Sequence, residues 1–320
     1  MELEGDVTTL MWRNPHTYMT LRVAEADGSV ADWEIETSSL SVLRRQGVVD
    51  TIAVGDHIRI AGYPPTGEKK EIYVRHVLLA DGRELLMDTG LKPRFSERTV
   101  GSDSVLAIRE GDPSRPELGI FRVWSFVRNG PRLFREVVDP TFDVQSYPLT
   151  DAARAALAEF DIVTQNPTAH CLPKGMPTIM EQPYPIELVQ LDRGDILLRI
   201  EEYDLERTIF MNGRGTRENA ARELAEPTPL GFSTGAWDGR TLVVTTSRVS
   251  WPYFSQIGIP QSPAVEIVER FAPTADGSRL DYSLTVTDPA TFTEPVTLLT
   301  YWIYVPGVAL LPYECAERDQ

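Results

Sequence analysis

HCLPKGMPTIMEQPYPIELVQLDRGDILLRIEEYDLERTIFM, residues 170–211, opens as a Pro/Gly-rich clamp and continues as alternating strand sequence. Pro173 and Pro177, with Gly175 between them, fix an extended, non-helical path. The runs 185–191, 195–203 and 206–211 then read as strands, and Asp192-Arg193-Gly194 joins the first two as a hairpin turn. The stretch predicts a seam where a linker from an N-terminal domain enters a larger β-domain.

Downstream the pattern repeats at 230–237, 240–247, 264–271, 279–287 and 296–305, with Asp238-Gly239 and Asp276-Gly277 as turns. Upstream, GIFRVWSFV at 119–127 adds another β-segment, for about nine strands in all. PLTDAARAALAEF at 148–160 is the one clear helix, capped by Thr150 and with Ala155, Leu157 and Phe160 as its apolar positions. Even spacing of this kind predicts an antiparallel β-barrel over 119–320, lipocalin-like, or a sandwich. A small-molecule cavity inside it is the preferred reading. Residues 89–118 read as a connector with a short strand at 104–109.

Residues 1–88 give strands at 2–12, 17–24, 30–36, 57–62 and 71–79, with a short helix at 40–46 after Ser38-Ser39. Three strands, a helix and two strands is the order of an OB-like barrel. The fold class expected is therefore mainly β: a small OB-like barrel followed by a larger antiparallel one.

The net charge of −16 argues against nucleic acid and anionic membrane surfaces as partners, since both need basic patches. An apolar fraction of 42% is ample for conventional cores. No run of 18 apolar residues exists, so no transmembrane segment is expected. The start shows no basic and apolar leader, which fits a cytoplasmic protein or one whose signal peptide has been removed. His16, His57, His76 and His170 lack metal-ligand spacing, and no phosphate loop, dinucleotide fingerprint or nucleophile elbow occurs. Neither a metal nor a cofactor is expected. His16, after a rigid Asn-Pro turn, can serve as a ligand or acid/base, or simply as a hydrogen-bonded structural residue. Cys171 and Cys315 either pair or remain buried thiols.

Strand alternation selects the candidate site. Glu202 falls on the face of Ile196, Leu198 and Ile200, and Glu269 on the face of Val265, Ile267 and Phe271. A carboxyl group inside an apolar barrel has a raised pKa and can act as acid or base. Arg207, with Tyr203 or Tyr282, would stabilise developing negative charge. Phe232, Trp237, Trp302, Tyr304 and Trp124 are the expected substrate-binding residues. The structural alternative is that the two glutamates pair with Arg207 and Arg248 in a buried network, or sit where a strand leaves the core.

CLPKGMPTIM, QPYPIELVQ, EEYDLERTIFMNGR, GFSTGAWDGRTLVVTT, VEIVERF, TVTDPATFTEPV and the YECAE tail resemble a widespread bacterial secreted family of unknown function. GDVTTLMWRNPHTYMTLRV with LRRQG and GDHIRIAGYP is similar to a second secreted module, often fused to the first. The resemblance implies a periplasmic or secreted setting and favours a Cys171–Cys315 disulfide. It supplies no activity. It also implies His at the positions of Phe232 and Gln261 and Asp at that of Thr245, so an apolar Phe232 would suit a more hydrophobic substrate.

The expected function is a cofactor-independent acid/base enzyme, a lyase, isomerase or cyclase, acting on a largely apolar small molecule in the C-terminal barrel. The alternative is a non-catalytic carrier of a hydrophobic ligand in the cell envelope. A homodimer is an allowed state.

Overall fold

The computed structural model describes residues 1–65, 69–101, 116–127, 130–137, 141–211 and 226–316. The chain divides into two compact units, Met1–Ala107 with Leu311–Gln320, and Ile108–Leu310.

The first unit contains β1 (Glu2–Met11), β2 (Thr17–Ala24), β3 (Val30–Thr37), α1 (Leu40–Arg45), β4 (His57–Tyr63), β5 (Glu71–Leu79), β6 (Glu84–Leu86) and β7 (Thr99–Val100). β1 pairs with both β2 and β4, β2 with β3, and β4 with β5, all antiparallel. A parallel contact of β3 with β5 closes five strands into a barrel, in the order and with the helix placement expected of an OB-type fold. β6 and β7 extend the sheet beyond β5. Alternation sends Met19, Leu21, Ile35, Ile58, Ile60, Ile72 and Val74 inward, and all are buried. Ser39 caps α1 by accepting from the Val42 N–H at 3.4 Å, while Leu40 and Leu43 pack under the helix.

Two details shape this unit. β4 bulges between Ala61 and Gly62, where a Cβ on Gly62 would sit 2.1 Å from the Tyr73 carbonyl oxygen. Only glycine permits that approach. Residues 311–316 also belong here: the Asn14 N–H donates to the Glu314 carbonyl at 2.9 Å, and Arg13 donates to the Ala316 carbonyl at 2.6 Å.

The second unit contains β8 (Val123–Trp124), α2 (Asp151–Glu159), the single turn α3 (Ile162–Gln165), and β9 (Ile186–Gln190) through β10 (Ile196–Ile200), β11 (Leu205–Met211), β12 (Phe232–Asp238), β13 (Thr241–Ser247), β14 (Glu266–Pro273), β15 (Arg279–Thr287) and β16 (Val296–Ile303). These nine strands form one sheet in sequence order. Ser125 and Ile303 exchange N–H···O bonds of 2.8 and 3.0 Å across its two edges, so the barrel nearly closes.

Most expected spans fall within two residues of the observed ones. There are three differences. The 195–203 strand stops at Ile200, because Glu202–Asp204 folds into a 3-10 turn with Tyr203 and Asp204 at φ 61° and 50°. The 119–127 segment contributes only two strand residues. β11 and β12 pair in parallel rather than antiparallel, a pairing that needs a long crossover connection instead of a tight turn. The strand expected at 104–109 lies outside the described residues.

Thr150 caps α2 through the Ala153 N–H at 3.2 Å. The apolar core runs from Ile196, Leu198 and Ile200 around to Leu280, Leu284 and Trp302. It continues into an aromatic cluster of Phe134, Tyr147, Phe254 and Phe292, with ring centroids 4.8–6.5 Å apart. No helix among the described residues is long and apolar enough to cross a membrane.

Candidate functional site

β11, β12, β13, β14 and β15 each turn one polar side chain onto the buried face: Arg207, Ser233, Thr246, Glu269 and Tyr282. They meet in one network. The two terminal nitrogens of Arg207 face the two oxygens of Glu269, one contact at 3.0 Å and the other short. Its Nε–H donates to Ser233 Oγ at 2.8 Å, and its remaining donors reach Thr246 Oγ1 at 2.5 Å and Met176 Sδ at 3.5 Å. All five guanidinium hydrogens thus have acceptors. Tyr282 donates to Glu269 Oε1 at 2.8 Å, and burial, with the Glu269 charge beside it, pushes its hydroxyl pKa upward. Glu269 is 0% exposed and Arg207 3%. An isolated charge there would be costly, so the bidentate geometry and full set of donors are what make the burial tolerable.

The Pro/Gly clamp feeds this region from outside the sheet. A Cβ on Gly175 would lie 2.4 Å from the Pro229 oxygen and from Trp251 Cβ, so glycine lets the clamp press against both. That contact aims Met176 at Arg207 and Lys174 at Glu202, whose oxygens accept from Nζ at 2.8 and 3.0 Å. Glu202 is therefore buried as expected, but from a turn rather than a strand, and its partner is Lys174. Burial pushes its carboxyl above the ordinary value, with Lys174 opposing. Burial likewise raises the Tyr203 hydroxyl.

The expected binding residues separate into groups. Trp302 lies beside Tyr282, with centroids 5.0 Å apart. Trp124 and Tyr304 form an edge-to-face pair at 6.5 Å, with the Arg122 guanidinium over both rings. Trp237 is 47% exposed and meets Phe121. Phe232 is on the face opposite Ser233 and stacks on Phe210 at 5.1 Å. Thr245 shares its strand's outer parity, whereas Gln261 donates to the Met176 and Trp251 carbonyls. These side chains do not converge on one site. Cys171 and Cys315 are both in disulfide form.

The geometry also exposes a site that strand reading missed. Residues 131–137 and 141–147 form a strap beside β16, where the Thr300 hydroxyl donates to the Pro131 carbonyl at 2.6 Å. Glu181 pins the strap by accepting from the Leu133 and Phe134 N–H groups at 2.7 and 3.2 Å and by ion-pairing with Arg132 at 2.6 Å. Between strap and strand lies a cleft of about 560 Å³, with Leu133, Phe142, Tyr147, Leu298, Arg132 and Arg135 among its walls. A second cleft of about 390 Å³ shares Pro131 and Leu299 with it. Tyr147 reaches behind the wall to donate to Glu136 Oε2 at 2.9 Å. Burial pushes the Glu136 carboxyl upward despite that bond, and nearby Glu181 adds to the shift. No periodic signal marks these residues; only the density of Arg, Phe and Glu in PRLFREV could have drawn attention to them. Among the described residues no group of three His, Cys, Asp or Glu side chains is arranged to hold a metal ion.

Compared with known proteins, residues 1–72 match the model of a family described as a family of unknown function (DUF6152). That span holds β1 to the start of β5 and the Asn-Pro-His turn. No curated protein matches the chain.

Proposed function

We propose that the second unit binds a largely apolar small molecule in the cleft between the strap of residues 131–137 and 141–147 and β16. The carrying observation is the cleft itself. Its volume of about 560 Å³ falls in the range of small-molecule pockets, and its apolar walls carry a few convergent polar groups. The interior network supports binding over chemistry at Glu269, because every Arg207 donor is already engaged. An envelope or exported setting is supported by both cysteines being oxidised.

The test is native mass spectrometry of protein purified from its own host, with extraction of whatever is bound, alongside uptake of a hydrophobic fluorescent probe. Leu299→Glu, at a residue 64% exposed on the cleft wall, should abolish uptake. Leu172→Glu, also exposed but not among the cleft's walls, should not. An empty protein that takes up no probe would overturn the reading.

A second reading is an acid/base lyase, isomerase or cyclase working in the same cleft. It is favoured by Glu136, a carboxyl with raised pKa, linked to the wall residue Tyr147. Recovery of a molecule chemically different from the one supplied, lost in Glu136→Gln, would select it.

A further inference from the structure

The first unit carries a row of half-exposed side chains with no part in the cleft. Register aligns Tyr18 on β2 with Glu36 on β3, Glu36 with Tyr73 on β5, and Tyr73 with Tyr63 on β4. Their chain neighbours Thr17, Met19, Ile35, Thr37, Ile72 and Val74 are buried, so the row lies on the solvent face. Three strand spacings make it roughly 14 Å long. The Gly62 bulge, which lets β4 close on the Tyr73 carbonyl, seats Tyr63 at its end.

Polar groups flank each ring. His16, on the β1–β2 loop, pairs through Nδ1 with Glu36 and stands edge-on to Tyr73 at 6.3 Å. The Arg13 guanidinium lies 4.8 Å from the Tyr18 centroid. Arg75 lies 5.4 Å from that of Tyr63 and donates to its hydroxyl at 2.6 Å.

We infer that this row binds an uncharged oligosaccharide. Flat phenol rings accept the apolar C–H faces of pyranose units, while the Glu36 carboxylate, the His16 imidazole and the Arg75 guanidinium hydrogen-bond the hydroxyls. OB-type barrels present this face and the β1–β2 loop to oligosaccharides or oligonucleotides. Charge decides between the two. Glu34, Glu36 and Glu71 share the face, and the whole chain carries −16, so a phosphate backbone would be repelled.

The experiment is calorimetric titration of the full chain with cellohexaose, chitohexaose and single-stranded DNA. Saturable binding of at least one hexasaccharide and none of DNA is expected. Tyr73→Ala should weaken it at least tenfold, Tyr63→Ala several-fold and Tyr73→Phe little, with circular dichroism confirming the fold. Tyr63, 56% exposed, keeps the test valid if Tyr73→Ala fails to fold. Wild-type protein that binds neither sugar, that binds DNA instead, or whose sugar binding survives Tyr63→Ala unchanged would overturn the inference.

Discussion

Glu202 in the second unit and Glu84 in the first are both buried carboxylates, 4% and 0% exposed, yet their pKa values move in opposite directions. Glu202 has one flexible ammonium partner, and burial dominates, so its value rises. For Glu84 burial is opposed by the backbone N–H groups of Ser96, Arg94 and Phe95 and by His76, which together hold the value down. Donors fixed by the chain need no reorganisation to meet a charge; a lysine must be immobilised to do so. Burial alone therefore does not identify an acid ready to exchange a proton. What matters is how many rigid donors surround it.

The most severe challenge to this view is Arg207→Met, which strands Glu269 without a cation. We expect a loss of about 3–5 kcal/mol, read as a urea midpoint shift of the second unit's transition. Adding Glu269→Met should recover most of it; a double variant as unstable as the single would mean packing, not charge, sets the cost. Lys174→Met should cost less, about 3 kcal/mol at neutral pH, because Glu202 can take up a proton. Its folded pKa lies above the ordinary 4.5, so its favourable contribution is complete below 4.5 and lost as pH rises through the folded value. The variant should thus regain stability in acid, and a flat profile from thermal melts at several pH values would break the contrast. Glu84→Gln should cost about 2 kcal/mol at neutral pH. Here the folded pKa lies below 4.5, so the stabilisation is present above 4.5 and lost as pH falls through the folded value. The acid sensitivity of the first unit should shrink in this variant. Thr150→Ala removes a neutral cap at α2 and sets the baseline, about 1 kcal/mol by the same melts.

The fold was largely legible because strand periodicity and turn chemistry are local. Asp-Gly turns and alternation placed β12 to β15 within two residues, and Ser39 and Thr150 marked their helices. The inward direction of Glu269 and Tyr282 followed from the same alternation, and the alternative of an Arg207 pairing was already visible. Where a strand ended early, the reading slipped: Glu202 sits in a turn, and its partner comes from the clamp 28 positions upstream, a contact no local pattern encodes. Phe232 was singled out through the family resemblance, whereas its alternation with Ser233 puts it on the other face. The cleft was invisible because its strap has no period; its position depends on Glu181, which binds strap backbone across 47 and 48 positions.

The return of residues 311–316 to the Asn14 turn has a consequence for biogenesis. Arg13 and its acceptor Ala316 are 303 positions apart, with the whole second barrel encoded between them. At ribosomal speeds the early barrel would wait roughly 15–60 s for its finishing segment. Throughout that interval its Asn14 N–H and Arg13 guanidinium would face the translation milieu unmet, which makes the nascent first unit a client for any holding factor that recognises an incomplete strand edge.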